Sequence, residues 1–125
     1  MATKPVTSVA WLKKPEEHDY RAAESYLSLI YAGKKSVKLV AALREAPVSP
    51  FKAKDIFRAS QLSLLGVSNS HVEKDGQKIK SGQKLSPLLL VRDEALGKVV
   101  IADGYHRLCA VYGFDEDALI PCKIV

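Results

Sequence analysis

Apolar residues set a helical period early in the chain, where Tyr20, Ala23, Tyr26, Leu27, Ile30 and Tyr31 fall on one face. Pro15-Glu16-Glu17 reads as the start of that helix, because proline suits the first turn and acids favour its N-terminal dipole. Gly33 supplies a stop. A second helix is predicted from about Ser36 to Ala46, with Leu39, Val40 and Leu43 facing inward, and it ends before Pro47. The two helices form a hairpin expected to pack against the chain that follows. Residues 1–14 read as a loose lead-in anchored by Trp11 and Leu12.

The period changes after Pro50. Phe51-Lys52-Ala53-Lys54-Asp55-Ile56 roughly alternates, which predicts a half-buried strand. Arg58 to Val67 is largely apolar and reads as a short helix followed by a loop. Ser68 or Asn69 can cap a helix running to about Lys80, closed by Ser81-Gly82. Gly76 weakens that helix by about 1 kcal/mol relative to alanine, a cost that points to close packing. Pro87 to Val91 is continuously apolar, as a strand buried on both faces would be. Residues 93–97 make a turn, and Lys98 to Ala102 form the next strand. Asp103-Gly104 breaks it before a short helix bearing Arg107, Leu108, Ala110 and Val111. The last strand spans Ile120 to Val125. From residue 51 the predicted order is strand, helix, strand, strand, helix, strand, an α+β arrangement with a small mixed sheet.

Composition narrows the class without naming a function. A chain of 125 residues, 47% hydrophobic and 26% charged, is ordinary for one globular domain. No apolar run approaches the roughly 20 residues that a membrane helix needs, so no membrane partner is expected. Met1-Ala2-Thr3-Lys4-Pro5 lacks the apolar stretch of a secretory signal, and a cytoplasmic location is the default expectation. Cys109 and Cys122 sit among apolar neighbours without CxxC spacing and read as buried packing residues rather than a disulfide or metal site. The net charge of +5 is uneven: residues 34–84 hold eleven basic and four acidic groups, whereas residues 85–125 hold four and six. Such a basic middle segment is compatible with a nucleotide, phosphate or nucleic-acid partner. For any single lysine, solvation of an exposed helix face is the simpler account.

The chemistry concentrates where a strand turns directly into a helix at Ala102-Asp103-Gly104. Free backbone N–H groups and the helix dipole favour an anion there. Gly104 permits a sharp turn and close approach of a ligand. Arg107, in the first turn, suits bidentate contact with phosphate oxygens, and His106 can donate to a phosphate or act as an acid. Asp103 can orient the arginine, bind a metal accompanying the phosphate, or act as a base. Against this, Asp103 can simply cap the helix, and Arg107 can pair with Asp115-Glu116-Asp117. Upstream, His71, Lys74 and Lys78 fall on one stripe of the helix from Asn69 to Lys80 and could complete a phosphate clamp, although the same stripe serves as an ordinary solvent face. Glu73 and Ser68 are weaker candidates, and His18 reads as solvent-exposed.

Val100-Ile101-Ala102-Asp103-Gly104-Tyr105-His106-Arg107-Leu108-Cys109-Ala110 resembles the signature of the ParB/sulfiredoxin superfamily. That signature is a strand, a glycine-containing loop, a basic pair and an alanine-bearing helix. The resemblance extends backward through Leu85 to Val91, Val72 to Ile79 with Gly82, and Ala53 to Ile56, covering about residues 51–125. It implies a sulfiredoxin-like fold preceded by an N-terminal helical extension over residues 1–50. It also implies nucleotide phosphates, from CTP, ATP or ADP with Mg²⁺, held by Gly104, Tyr105, His106 and Arg107. Asp103 and His106 become the catalytic candidates, with His71, Lys74 and Lys78 on the phosphates and Arg58 reaching the same pocket.

Several activities share this fold. Sulfiredoxin carries its catalytic cysteine where this chain has Tyr105, and a phenol does not perform thiol chemistry. Chromosome-partition ParB proteins continue into a helix-turn-helix and dimerisation region, for which nothing after the loop provides a counterpart. The Asp-Gly-x-His-Arg form is more similar to the free-serine kinases of the superfamily. The leading expectation is a nucleotide- or phosphate-binding protein acting as a small phosphotransferase or nucleotide hydrolase. The alternatives are a nucleic-acid-binding or nuclease-like module, and an interaction surface on the N-terminal helices through Tyr20, Tyr26 and Tyr31.

Overall fold

The computed structural model describes residues 8–65 and 69–125. Helices α1 (Glu17–Ile30) and α2 (Lys35–Glu45) lead into strand β1 (Val48–Lys52) and helices α3 (Ala53–Ser60) and α4 (Ser70–Lys80). Strands β2 (Leu88–Asp93) and β3 (Lys98–Asp103), helix α5 (Tyr105–Phe114) and strand β4 (Leu119–Ile124) complete the chain. The four strands form one mixed sheet in the order β1-β4-β2-β3. β1 runs antiparallel to β4, β4 parallel to β2, and β2 antiparallel to β3. The architecture is α+β. Among the described residues no helix is long and apolar enough to cross a membrane.

The sheet has helices on both faces, which explains why Leu88 to Val91 is apolar without alternation. Leu88 and Leu90 face α3, α4 and α5, in a cluster with Ile56, Val72, Ile79 and Leu108. Leu89 and Val91 face the hairpin, in a cluster with Tyr20, Leu27, Val40 and Leu43. Leu27, Leu43, Leu88 and Leu89 are wholly buried. Each such side chain contributes about 2 kcal/mol relative to exposure, so the hairpin is held chiefly by apolar burial. A hydrogen bond from Tyr31 to Asp93 at 2.8 Å adds a polar tie at its far end. Of the aromatic stripe proposed as an interaction surface, Tyr20 is in the core, Tyr31 is half-buried and Tyr26 is exposed. The lead-in is anchored where Trp11 pairs with Leu85, with the Leu12 N–H donating to the Leu85 carbonyl at 2.8 Å.

The strand expected over residues 51–56 is corrected. β1 begins earlier, at Val48, and Ala53 already opens α3. Ala53, Ile56 and Ser60 are the buried residues of α3, spaced to line one helical face, and this burial overrides the weak alternation. The short helix followed by a loop expected from Arg58 is the end of α3, which closes at Ser60; residues 66 and 67 lie outside the described residues. Asn69 caps α4, its side chain accepting from the N–H groups of His71 and Val72; Ser68 lies outside the described residues. Gly76 does not mark close packing, since a Cβ there would meet nothing within 4 Å.

Cys109 and Cys122 are both buried and free. Burial pushes the Cys122 thiol up to about 12 and raises that of Cys109 as well. Thiolate is the reactive form, so neither cysteine should react with an aromatic disulfide reagent at about pH 8 in the native protein, while both should react in denaturant. A fast-reacting native thiol would show that this core opens.

Candidate functional site

The loop between β3 and α5 owes its shape to Gly104, whose φ of +110° lies in the left-handed region. A Cβ at this position would stand 2.7 Å from Leu88 Cγ and 3.0 Å from Arg107 Nη2. The first helical hydrogen bond runs from the Leu108 N–H to the Gly104 carbonyl at 2.9 Å. No side chain caps α5, so the N–H groups of its first turn are left for another acceptor.

Asp103 does not serve as the cap. Its Oδ2 accepts from Arg107 Nη2 at 2.8 Å, one helical turn away. Arg107 also lies 3.8 Å from Asp19 Oδ1, and its Nη2 donates to the Pro87 carbonyl at 3.3 Å. Its Nε is buried without a partner among the described residues. The side chain is 16% exposed and Asp19 only 2%. The anticipated pairing of Arg107 with residues 115–117 does not occur; Asp117 instead binds Lys54 at 2.6 Å. Arg107 thus fastens α1, the chain before β2, the end of β3 and α5 to one another.

Asp19 was not singled out from the sequence. Its spacing from Glu16 is that of a capping box, and that box forms: the Glu16 N–H donates to Asp19 Oδ2 at 2.8 Å. The pattern announces a helix start and carries no sign of Arg107, 88 positions further on. His18 is exposed, 3.2 Å from Glu16 and 3.3 Å from Asp19. Burial raises the Asp103 carboxyl above its ordinary value against the pull of Arg107, and the neighbouring Asp19 carboxylate adds to the rise.

A polar cavity of about 240 Å³ opens beside this junction, lined by Asp103 to Arg107 and by His71, Lys74, Asp75 and Lys78 of α4. The His71 and His106 rings lie 4.8 Å apart at 36°, and Tyr105 adjoins His106 with centroids 5.7 Å apart. Lys78 is 3.9 Å from Asp75, whereas Lys74 has no carboxylate partner among the described residues. The stripe His71, Lys74, Lys78 and the loop 103–107 are therefore brought together. Arg58 is not: its side chain is 82% exposed in the last turn of α3, 3.6 Å from Asp55, and it does not line the cavity. Opening the helix at Ala53 carries Arg58 away from the loop. Glu73 lines a separate apolar cavity of about 470 Å³ between α4 and α5, with Cys109 and Phe114. The Tyr105 hydroxyl donates to the Ser63 carbonyl in the segment after α3.

No family model, curated protein or solved structure matches this chain.

Arg107→Met should lower stability by about 3 kcal/mol in urea denaturation, because it leaves two buried carboxylates facing one another. Without the guanidinium the folded-state pKa of Asp103 rises further above the unfolded value near 4. The deficit should be greatest above that raised value and shrink as pH falls toward about 4, since protonation is then favoured by folding. Gly104→Ala should cost about 2 kcal/mol by the same measurement, through its left-handed backbone and the contact with buried Leu88.

Proposed function

We propose that the cavity between α4 and the β3–α5 loop binds the phosphates of a nucleotide, as in the ParB/sulfiredoxin-like proteins whose signature residues 100–110 resemble. The observation that carries this reading is the uncapped N-terminus of α5 opening onto a cavity that also receives His71, Lys74, Lys78 and His106. Helix N–H groups fix the oxygens of an anion, and two ammonium groups on the opposite wall supply charge. A cavity of about 240 Å³ suits the phosphate chain and leaves the nucleoside outside it. The row formed by His71, His106 and Tyr105 offers ring faces nearby.

In this reading Arg107 is a positioning residue, because its Nη2 already donates to Asp103 and Pro87 and its Nη1 stands 3.8 Å from Asp19. Direct phosphate contact falls to Lys74, Lys78 and His106. Asp103, half-buried at the cavity's edge with a raised pKa, is placed to take a proton from a reacting hydroxyl or to meet a Mg²⁺ accompanying the phosphates. Phosphotransfer or nucleotide hydrolysis is the corresponding activity. In the alternative reading, a nucleic-acid-binding or nuclease-like module, the phosphates at this cavity belong to a nucleic-acid backbone.

Titration calorimetry with CTP, ATP and ADP in the presence of Mg²⁺ tests the proposal. Wild type should bind at least one of them, and Lys74→Ala/Lys78→Ala should weaken that binding by about tenfold or more without altering the melting temperature greatly. Absence of binding by wild type to all three would overturn it. Arg107→Ala is a poor probe here, since loss of binding would be inseparable from loss of the junction.

A further inference from the structure

A third cavity, of about 760 Å³, lies at the hairpin, bounded by residues 12–17, Tyr20, Arg44 and Lys123. Lys123 belongs to β4, opposite Val48 of β1 and Leu89 of β2. Leu89 faces the hairpin cluster, so the register places a lysine where the sheet otherwise presents apolar side chains to α1 and α2. Lys123 is 8% exposed. Its ammonium donates to the Arg44 carbonyl at 2.7 Å, in the last turn of α2, and stands 5.7 Å from the Tyr20 ring. The negative end of the α2 dipole offsets part of its charge. No carboxylate pairs with it among the described residues.

The acid nearest in sequence to this cavity is already engaged. Glu17 accepts both guanidinium nitrogens of Arg44, at 2.8 and 2.6 Å, and Arg44 stacks on Tyr20 with its Cζ 4.3 Å from the ring centroid. Glu16 is turned toward His18 at 3.2 Å. Lys13 and Lys14 are exposed at the rim. The cavity therefore combines a buried ammonium with one protein acceptor among the described residues, two rim ammonium groups without a carboxylate partner among those residues, and an aromatic and arginine wall. Buried charge of this kind is stable when an opposite charge meets it. A cation is repelled here, and a neutral ligand leaves the Lys123 charge uncompensated.

We infer that this cavity is a second anion site, taking the phosphate group of a small phosphate monoester, with Lys123 at its floor and Lys13 and Lys14 closing over the oxygens. It is separate from the α5 loop site, and the first turn of α1, holding Asp19 against Arg107, stands between the two.

Titration of the isotopically labelled full chain with inorganic phosphate, followed by two-dimensional NMR, locates the binding. Amide shifts should centre on Tyr20, Arg44 and Lys123, and Lys123→Met should weaken that response by about tenfold. Lys74→Ala/Lys78→Ala should leave it unchanged, which separates this site from the loop site. Shifts confined to His71 and residues 103–107, no shifts at all, or an undiminished response in Lys123→Met would overturn the inference. Should Lys123→Met not fold, Lys13→Ala/Lys14→Ala decides. Those replacements lie on exposed chain, and about threefold weaker binding at the Tyr20 amides is expected, whereas unchanged affinity rejects the site.

Discussion

Arg107 carries a full positive charge into the seam between the helical hairpin and the sheet, and the arrangement of both layers follows from how that charge is met. Asp103 reaches it from the end of β3 and Asp19 from the first turn of α1, while the Pro87 carbonyl accepts from the same guanidinium just before β2. Desolvating three charged groups costs several kcal/mol for each, and their mutual attraction returns much of that only in this geometry. The raised pKa of Asp103 is the visible remainder of that cost. Apolar burial holds the hairpin on the sheet, and Arg107 links its first turn to the end of β3 through Asp19 and Asp103.

The same interaction changes the meaning of the loop. A basic residue in the first turn of a helix, after a glycine, reads as an anion ligand, yet Nη2 of this one already donates to Asp103 and the Pro87 carbonyl, with Asp19 3.8 Å from Nη1. Its service to the cavity is indirect. It ties α5 to β3, so the uncapped helix N-terminus stands opposite the α4 wall that carries His71, Lys74 and Lys78. Gly104 is bound into this arrangement because a side chain there would collide with both Leu88 and Arg107. The sharp turn and the buried ion pair are consequently one device.

Legibility along the chain tracked how local each determinant is. The helices at residues 17–30 and 70–80 and the strands at 88–93 and 98–103 carry their own periodicity and stop signals, and the structure departs from them by one or two positions. The Asn69 cap was readable because its partners, the His71 and Val72 N–H groups, are two and three residues away. The stretch 51–56 misled because six residues alternate weakly in either period, and burial of Ala53 and Ile56 against the sheet and α5 decided for a helix. Within the candidate site, the α4 stripe and the loop were each readable. Asp19 was not, since a capping box looks the same whether or not an arginine stands behind it.

Taken alone, the sequence determined most of the elements outside residues 48–60, the burial of β2 on both faces, the buried cysteines and the sharp turn at Gly104, because these depend on side-chain period, composition and local backbone sterics. Tertiary structure decided the strand order, the placement of the hairpin over β2 and β3, the exclusion of Arg58 from the cavity and the pairing of Arg107 with Asp103 and Asp19. It also set Lys123 beneath the hairpin without a carboxylate partner among the described residues. Those outcomes rest on pairs separated by tens of residues, whose charges are met or left unmet only when the layers close.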